Sequence, residues 1–361
     1  MSVITARPQL EGAGFLVHRP FPSLALPDMD PFLLLDEMGP VDVGPREAKG
    51  APDHPHRGFE TVTYMLDGAM VHEDSGGNAS TLRAGDLQWM TAGSGVIHSE
   101  MPEPTFFEEG GRMHGVQLWI NLPAAQKMMA PRYQDLRGDQ VPRVEVPGGV
   151  VRVISGTFGG IEARVDTVIP IQYLHATLED GAIDVDIPEG HNGFAYVIAG
   201  DAVIGGERAR DHQLVRLAPG TRAIEGSGEI LVLSGPPLAE PVARYGPFVM
   251  NTHDEIIEAV RDFQSGRFGT IPRKAGPRTI ALYAPPARAA APAAKLRAAG
   301  HKLLFAEDRQ TLEAALRGGA SVLIVDGIGE PDATWARKLA ASSGVLVAEG
   351  PDVVAAVQAL D

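Results

Sequence analysis

Two short stretches carry residues that can hold a metal. Residues 53–60 read DHPHRGFE, and residues 96–100 read VIHSE. Side chains alternate faces along a strand, so His54 and His56 project the same way, as do His98 and Glu100. With the two strands side by side, three imidazoles and a carboxylate converge. One HxH pair says little. An HxH followed by an HxE, with Gly-rich turns between them, is far more specific. Imidazole and carboxylate donors suit iron, nickel, copper, manganese, cobalt or zinc. The chain has no Cys, which disfavours a structural zinc, although three nitrogens and one oxygen can close a tetrahedral zinc site. In a six-coordinate field, four protein ligands leave two positions for water, O2 or a chelating substrate.

Which acid completes the set is open on the residues alone. Counting by twos from His54 and His56 reaches Glu60, so Glu60 competes with Glu100 as a ligand or stands just behind the ligands. His114 lies in RMHGVQLWIN and shares a face with Val116, Leu118 and Ile120, so it is expected to be a buried, hydrogen-bonded histidine. His72 follows a glycine turn and is expected to be solvated.

These residues must be positioned by strands. From 1 to about 270 the chain shows short alternating runs such as TVTYML, DLQWM and GVQLWINLP, cut by Gly, Pro and Asp. That spacing predicts a sandwich or barrel. The 42 glycines and 29 prolines fit many tight turns. The stretch HRGFETVTYMLDGAMV is echoed by HNGFAYVIAGDAVI, and LRAGDLQWM by VRLAPGTRA. This predicts two copies of one β-fold, roughly 1–137 and 138–240. The second copy has one histidine, His191, where the first has HPH, and it has no counterpart of IHSE. The fold therefore does not require HPH, which weakens a purely structural account of His54 and His56. DEIIEAVRDFQ predicts a helix over 254–264, capped by Thr252 or Asp254. It closes a second barrel region spanning 138–270. IPRKAGPR, 271–278, reads as a linker. From 279 to 361, four apolar runs alternate with helical stretches, the last being DVVAAVQALD, and predict a small parallel α/β domain of unknown role.

Composition narrows the function classes. The chain has 361 residues, is 44% hydrophobic and 21% charged, and carries a formal net charge of −15. Without a basic cluster, direct nucleic-acid binding is not expected, nor is association with an anionic membrane. No run of about 18 apolar residues appears, and no apolar leader opens the chain. A cytoplasmic protein is expected. Thiol chemistry is excluded by the absence of Cys.

The motifs DPFLLLDEMGP (30–40), HPHRGFETVTYML (54–66), GDLQWMTAGSGVIHSEMP (85–102), HGVQLWINLP (114–123) and GPFVMNTHDEI (246–256) together resemble the pirin family of the cupin superfamily. The resemblance covers about 1–270. It implies two tandem cupin barrels, each a double-stranded β-helix, with one divalent metal, iron, in the first barrel. Carried over position by position, the ligands are His54, His56, His98 and Glu100. The general cupin pattern would favour Glu60, but pirins take the Glu of HxE. Thr91 stands where a Pro is common in cupins, and four residues separate Gly93 from His98; both fit the pirin variant. The resemblance implies one of two roles. One is a quercetin 2,3-dioxygenase-like enzyme that opens a flavonol-like ring with O2, in which Glu100 takes the substrate's hydroxyl proton. The other is a non-enzymatic, redox-sensitive regulator that acts through a protein partner. On the enzyme reading Gln117, Trp119, Phe59, Met65 and Met90 are candidate pocket residues, with core packing as the alternative for each. The segment from about 277 lies outside the resemblance and has no GxGxxG or Walker A loop.

Overall fold

The computed structural model describes residues 3–272, 279–298, 301–317, 320–326, 328–342, 345–348 and 357. The chain divides into two compact units, 1–271 and 272–361. The expected linker beyond its first two residues, and the expected last helix apart from Val357, lie outside the described residues. No helix among the described residues is long and apolar enough to cross a membrane.

The first unit is the expected pair of β-barrels. In the first barrel a seven-stranded sheet faces a four-stranded one. The smaller sheet runs Ala51–His56, Val96–Pro102, Ala69–Asp74 and Ala79–Arg83 in spatial order. The strands Phe59–Asp67 and Gly111–Asn121 are neighbours in the larger sheet. The second barrel is one eight-stranded sheet. Its edge recruits the N-terminal strand Val3–Thr5, in which Val3 lies opposite Val215.

Alternation along the strands sorts the side chains into two cores. Val62, Tyr64, Trp89, Val116, Leu118 and Ile120 of the first barrel pack in one cluster with Tyr173, Phe194, Tyr196, Leu231 and Leu233 of the second. That seam welds the barrels together. The opposite faces line each barrel's interior. In the second barrel an apolar cluster, from Val151 and Val153 through Ala195, Val197 and Val232, fills this face, and among the described residues no group of candidate metal ligands is formed by it. The two HxGF copies are one residue out of step. Phe194 points into the seam, whereas Phe59 stacks beside His56 in the first barrel's interior. A one-residue shift exchanges the faces of a strand, so the repeat holds for the architecture but not for the side-chain register.

The helix His253–Gln264 begins on a capping box between Thr252 and Glu255, which settles the choice of cap in favour of Thr252. The second unit has a parallel sheet of Lys302–Ala306, Thr279–Tyr283, Val322–Val325 and Leu346–Ala348 in spatial order. The helices Pro286–Ala298, Arg309–Arg317 and Glu330–Ser342 lie between these strands in sequence.

One carboxylate is buried in the seam. Glu37, with no solvent exposure, accepts hydrogen bonds from His114 Nε2 (2.9 Å), Tyr196 Oη (2.6 Å) and His212 Nδ1 (2.7 Å). His114 is thus the buried, bonded histidine expected. Burial opposes ionisation of Glu37, but these donors outweigh it and hold its pKa below the usual value. The bond to Glu37 raises the pKa of His212. The raised His212 contributes stability that is fully present below about pH 6.5 and lost as pH climbs through its folded value. The lowered Glu37 contributes stability that is present above about pH 4.3 and lost as pH falls through its folded value. Denaturant midpoints measured across pH should therefore decline above about pH 6.5, and His212→Gln should flatten that decline. An unchanged slope in the variant counts against this role for the pair.

Candidate metal centre

The site rests on one strand pairing. Ala51–His56 runs antiparallel to Val96–Pro102, with His98 opposite His54 and Val96 opposite His56. The imidazoles of His54, His56 and His98 meet with ring centroids 4.3–4.8 Å apart. One ring nitrogen from each lies within 4.8 Å of the other two.

Their hydrogen bonds show which nitrogens are free. His54 Nδ1 lies 2.7 Å from the Pro52 carbonyl oxygen, and His56 Nδ1 lies 3.5 Å from that of Pro247. A carbonyl only accepts, so in each ring Nδ1 carries the proton and Nε2 keeps its lone pair. His98 Nδ1 bonds to His72 Nε2 at 2.8 Å, and His98 Nε2 is buried with no partner. An orphaned buried nitrogen calls for an explanation, and a metal ion at the meeting point of the three rings supplies one. Burial holds the pKa values of His56 and His98 well below the ordinary histidine range, with the neighbouring imidazoles adding to the effect. Both are therefore neutral at pH 7, the form that ligates. The donor set fits a divalent transition metal.

His72, expected in solvent, is 1% exposed and packs against His98. The strand Ala69–Asp74 pairs with Val96–Pro102, which places His72 opposite Glu100. Its alternation with Asp74 on one face of VHED was the available signal. What hid it was the long-range partner strand.

A sharp turn ends the ligand strand. Gly58 sits at φ +90°, and a Cβ there would come 2.0 Å from the Val249 carbonyl oxygen. Arg57 donates to Asp262 (2.8 Å) and to the Ser94 carbonyl (2.7 Å), and lies over the Phe268 ring. Lys127 Nζ donates to the carbonyls of Gly58 (2.8 Å) and Val249 (3.0 Å) and to Asn121 Oδ1 (2.6 Å). This turn resets the alternation and corrects the expectation for Glu60. Glu60 starts the next strand on the face of Val62 and Tyr64, away from the histidines. There it accepts a hydrogen bond from Thr91 Oγ1 (2.6 Å), and burial raises its pKa.

Glu100 is buried and borders the histidines, but the pairing with Ala51–His56 shifts register between His98 and Glu100. Its carboxylate lies outside the tight nitrogen group. It accepts from Thr63 Oγ1 (2.8 Å) and from Gln117 Nε2 (3.1 and 3.2 Å). A cavity of about 490 Å³ opens beside it, lined by His54, His56, Glu100, Gln117 and Trp119, with Arg19, Asp36 and Arg244 on its far walls. Gln117 and Trp119, candidate pocket residues from the sequence, both line this cavity. Phe59 is fully buried behind Trp119, with ring centroids 4.4 Å apart. Met65 and Met90 belong to separate apolar clusters and line no part of this cavity. Thr63, Arg19 and Arg244 went unnoticed in the sequence, since nothing local marks them.

The family model described as Pirin matches residues 14–120, and that described as Pirin C-terminal cupin domain matches residues 173–269. The chain is 42% identical over 279 residues to a pirin-like protein of Solanum lycopersicum, covering 74% of this chain and 91% of that one. It is 43% identical over 277 residues to a Pseudomonas aeruginosa protein provisionally named a quercetin 2,3-dioxygenase, covering 73% and 95%. It also aligns with the crystal structure of a quercetin 2,3-dioxygenase from Acinetobacter baumannii at TM-score 0.71 and 36% identity, covering 75% and 98%.

Metal analysis of the purified protein should find close to one transition-metal ion per chain. His56→Ala and His98→Ala should lose it, and Glu60→Gln should keep it because Glu60 faces the other way. Metal loss in the Glu60 variant would contradict this placement. Lys127→Met should lower stability by about 3 kcal/mol, since it strands three buried acceptors; a denaturation curve matching wild type would show that the clamp is dispensable.

Proposed function

We propose that this chain, which belongs to the pirin family, is a metal-dependent dioxygenase of the quercetin 2,3-dioxygenase type, acting with O2 on a flavonol-like aromatic substrate. The observation that carries the reading is a set of three converging imidazoles, two of which line a cavity in which a buried carboxylate is already oriented. The names of the Pseudomonas and Acinetobacter relatives support it. We assign the ligand role to His54, His56 and His98, with Glu100 as the fourth ligand or as base, and iron as the resident metal.

Bound there, the metal would supply Lewis acidity and one-electron exchange with O2. The chain's own residues do the rest. Glu100 receives the proton of a substrate hydroxyl. Thr63 and Gln117 hold its two oxygens by neutral donors and so orient the carboxylate. Trp119 gives the cavity a flat wall, stiffened from behind by Phe59 and covered on one side by the Arg244 guanidinium, 5.0 Å from the ring centroid. The cavity volume falls within the range of about 300–1,000 Å³ typical of small-molecule sites.

Iron-loaded protein should consume O2 as the flavonol absorbance falls, and Glu100→Gln should cut kcat by about 10²–10⁴ with KM much less affected. Absence of turnover with iron, nickel, cobalt, manganese, copper and zinc in turn would overturn the enzymatic reading in favour of a non-catalytic, partner-binding role.

A further inference from the structure

We propose that His72 is a positioning residue that holds the His98 ring and accepts its Nδ1 proton when a metal takes Nε2. The inference rests on the reading of His98 as a metal ligand and is independent of which reaction follows.

Two of the three imidazoles have their tautomer fixed by backbone. His54 and His56 each direct Nδ1 at a carbonyl oxygen. His98 alone directs Nδ1 at another side chain, the Nε2 of His72, at 2.8 Å. A carbonyl can only accept, but an imidazole nitrogen can accept or donate. The His72–His98 bond therefore has two forms. In one, His98 Nδ1–H donates to a bare His72 Nε2, and His98 Nε2 presents its lone pair to the cluster. In the other, His72 Nε2–H donates to His98 Nδ1, and the His98 proton sits on Nε2, aimed at His54 and His56. Only the first can bind a metal.

The first form requires the His72 proton to be on Nδ1, a buried atom with no hydrogen-bond partner. An unpaired buried donor is costly, so neither form is enforced from the far side of His72. The metal chooses between them, and the His72 ring holds His98 in place while it does. The register explains why the ring cannot swing away. His72 lies opposite Glu100 and Asp74 opposite His98, so His72 is the diagonal neighbour of His98 across the pair. It is packed at 1% exposure with the Tyr133 ring 5.2 Å from its own. Partners of this kind behind a ligating histidine commonly govern metal affinity as well as ring orientation.

The test uses the full chain and zinc, which is diamagnetic. Competition with a chromophoric chelator gives the affinity of wild type, His72→Leu and His72→Gln. His72→Leu should bind zinc about 10–100-fold more weakly, while His72→Gln, whose amide oxygen accepts from Nδ1–H, should restore most of the affinity. A folded His72→Leu protein, shown by its melting curve, with wild-type affinity overturns the proposal. If that variant does not fold, long-range ¹H–¹⁵N spectra of zinc-loaded wild type decide. The His98 proton should be on Nδ1 with zinc on Nε2; the reverse assignment overturns the proposal. Wild type that binds no zinc, cobalt or nickel would sink the metal-centre reading itself, an outcome distinct from a variant that binds as well as wild type.

Discussion

Three imidazoles must meet at one point inside a barrel, and the register that sets His54 opposite His98 is the constraint on which the site depends. Slipping that pairing by one residue would send His98 to the other face. The protein guards the register at the end of the ligand strand. There Gly58 adopts a backbone conformation that suits glycine, with its carbonyl gripped by Lys127 and the preceding Arg57 tied to Asp262 of the closing helix. Arg57 and Lys127 are cations taken out of water, tolerable only because each is ringed by acceptors. The closing helix, far along the chain, thereby becomes part of the metal site's foundation without touching it.

The two barrels show how one architecture supports opposite interiors. The second fills its interior with Val, Ile, Leu and Ala side chains. The first gives part of that volume to histidines, a carboxylate and an open cavity. The shared seam compensates, since it buries large side chains from both barrels, including Trp89, Tyr64, Tyr173 and Tyr196. The ligand-bearing barrel leans on the one that carries no ligands. The buried Glu37, neutralised by donors from both barrels, makes that contact specific as well as adhesive.

Much of this was legible in the sequence, for local reasons. Alternation placed His54 with His56 and His98 with Glu100, the strand spacing gave the barrels, and Thr252 or Asp254 marked the helix start. The failures share a cause, namely that each depended on something not local. Parity counting from His56 to Glu60 ran through a glycine at positive φ, where alternation is reset. His72 looked like a turn residue because the strand that buries it comes twenty-odd positions later, between Val96 and Pro102. Arg19 and Arg244 come from near opposite ends of the first unit, and no local pattern could reveal that they share a cavity.

That last point separates chemistry from selectivity. The three histidines and Glu100 sit on paired strands in the barrel's smaller sheet, while Thr63 and Gln117 stand across from them in the larger one. Val96–Pro102 and the strands of Thr63 and Gln117 have ladders on both sides, whereas Ala51–His56 is an edge strand held by Val96–Pro102 alone. The opposing walls come from elsewhere. Arg19 lies on the strand Phe15–Phe21 and is held by Asp36; Arg244 lies on the short strand Ala243–Tyr245 and rests on Trp119. The hairpin that carries Arg244 is itself tied to the histidine strand, since the Pro247 carbonyl faces His56 Nδ1 and accepts from the Arg57 backbone N–H. On the proposed reading, a substrate in this cavity meets Arg19, Asp36 and Arg244 as well as the histidines and Glu100.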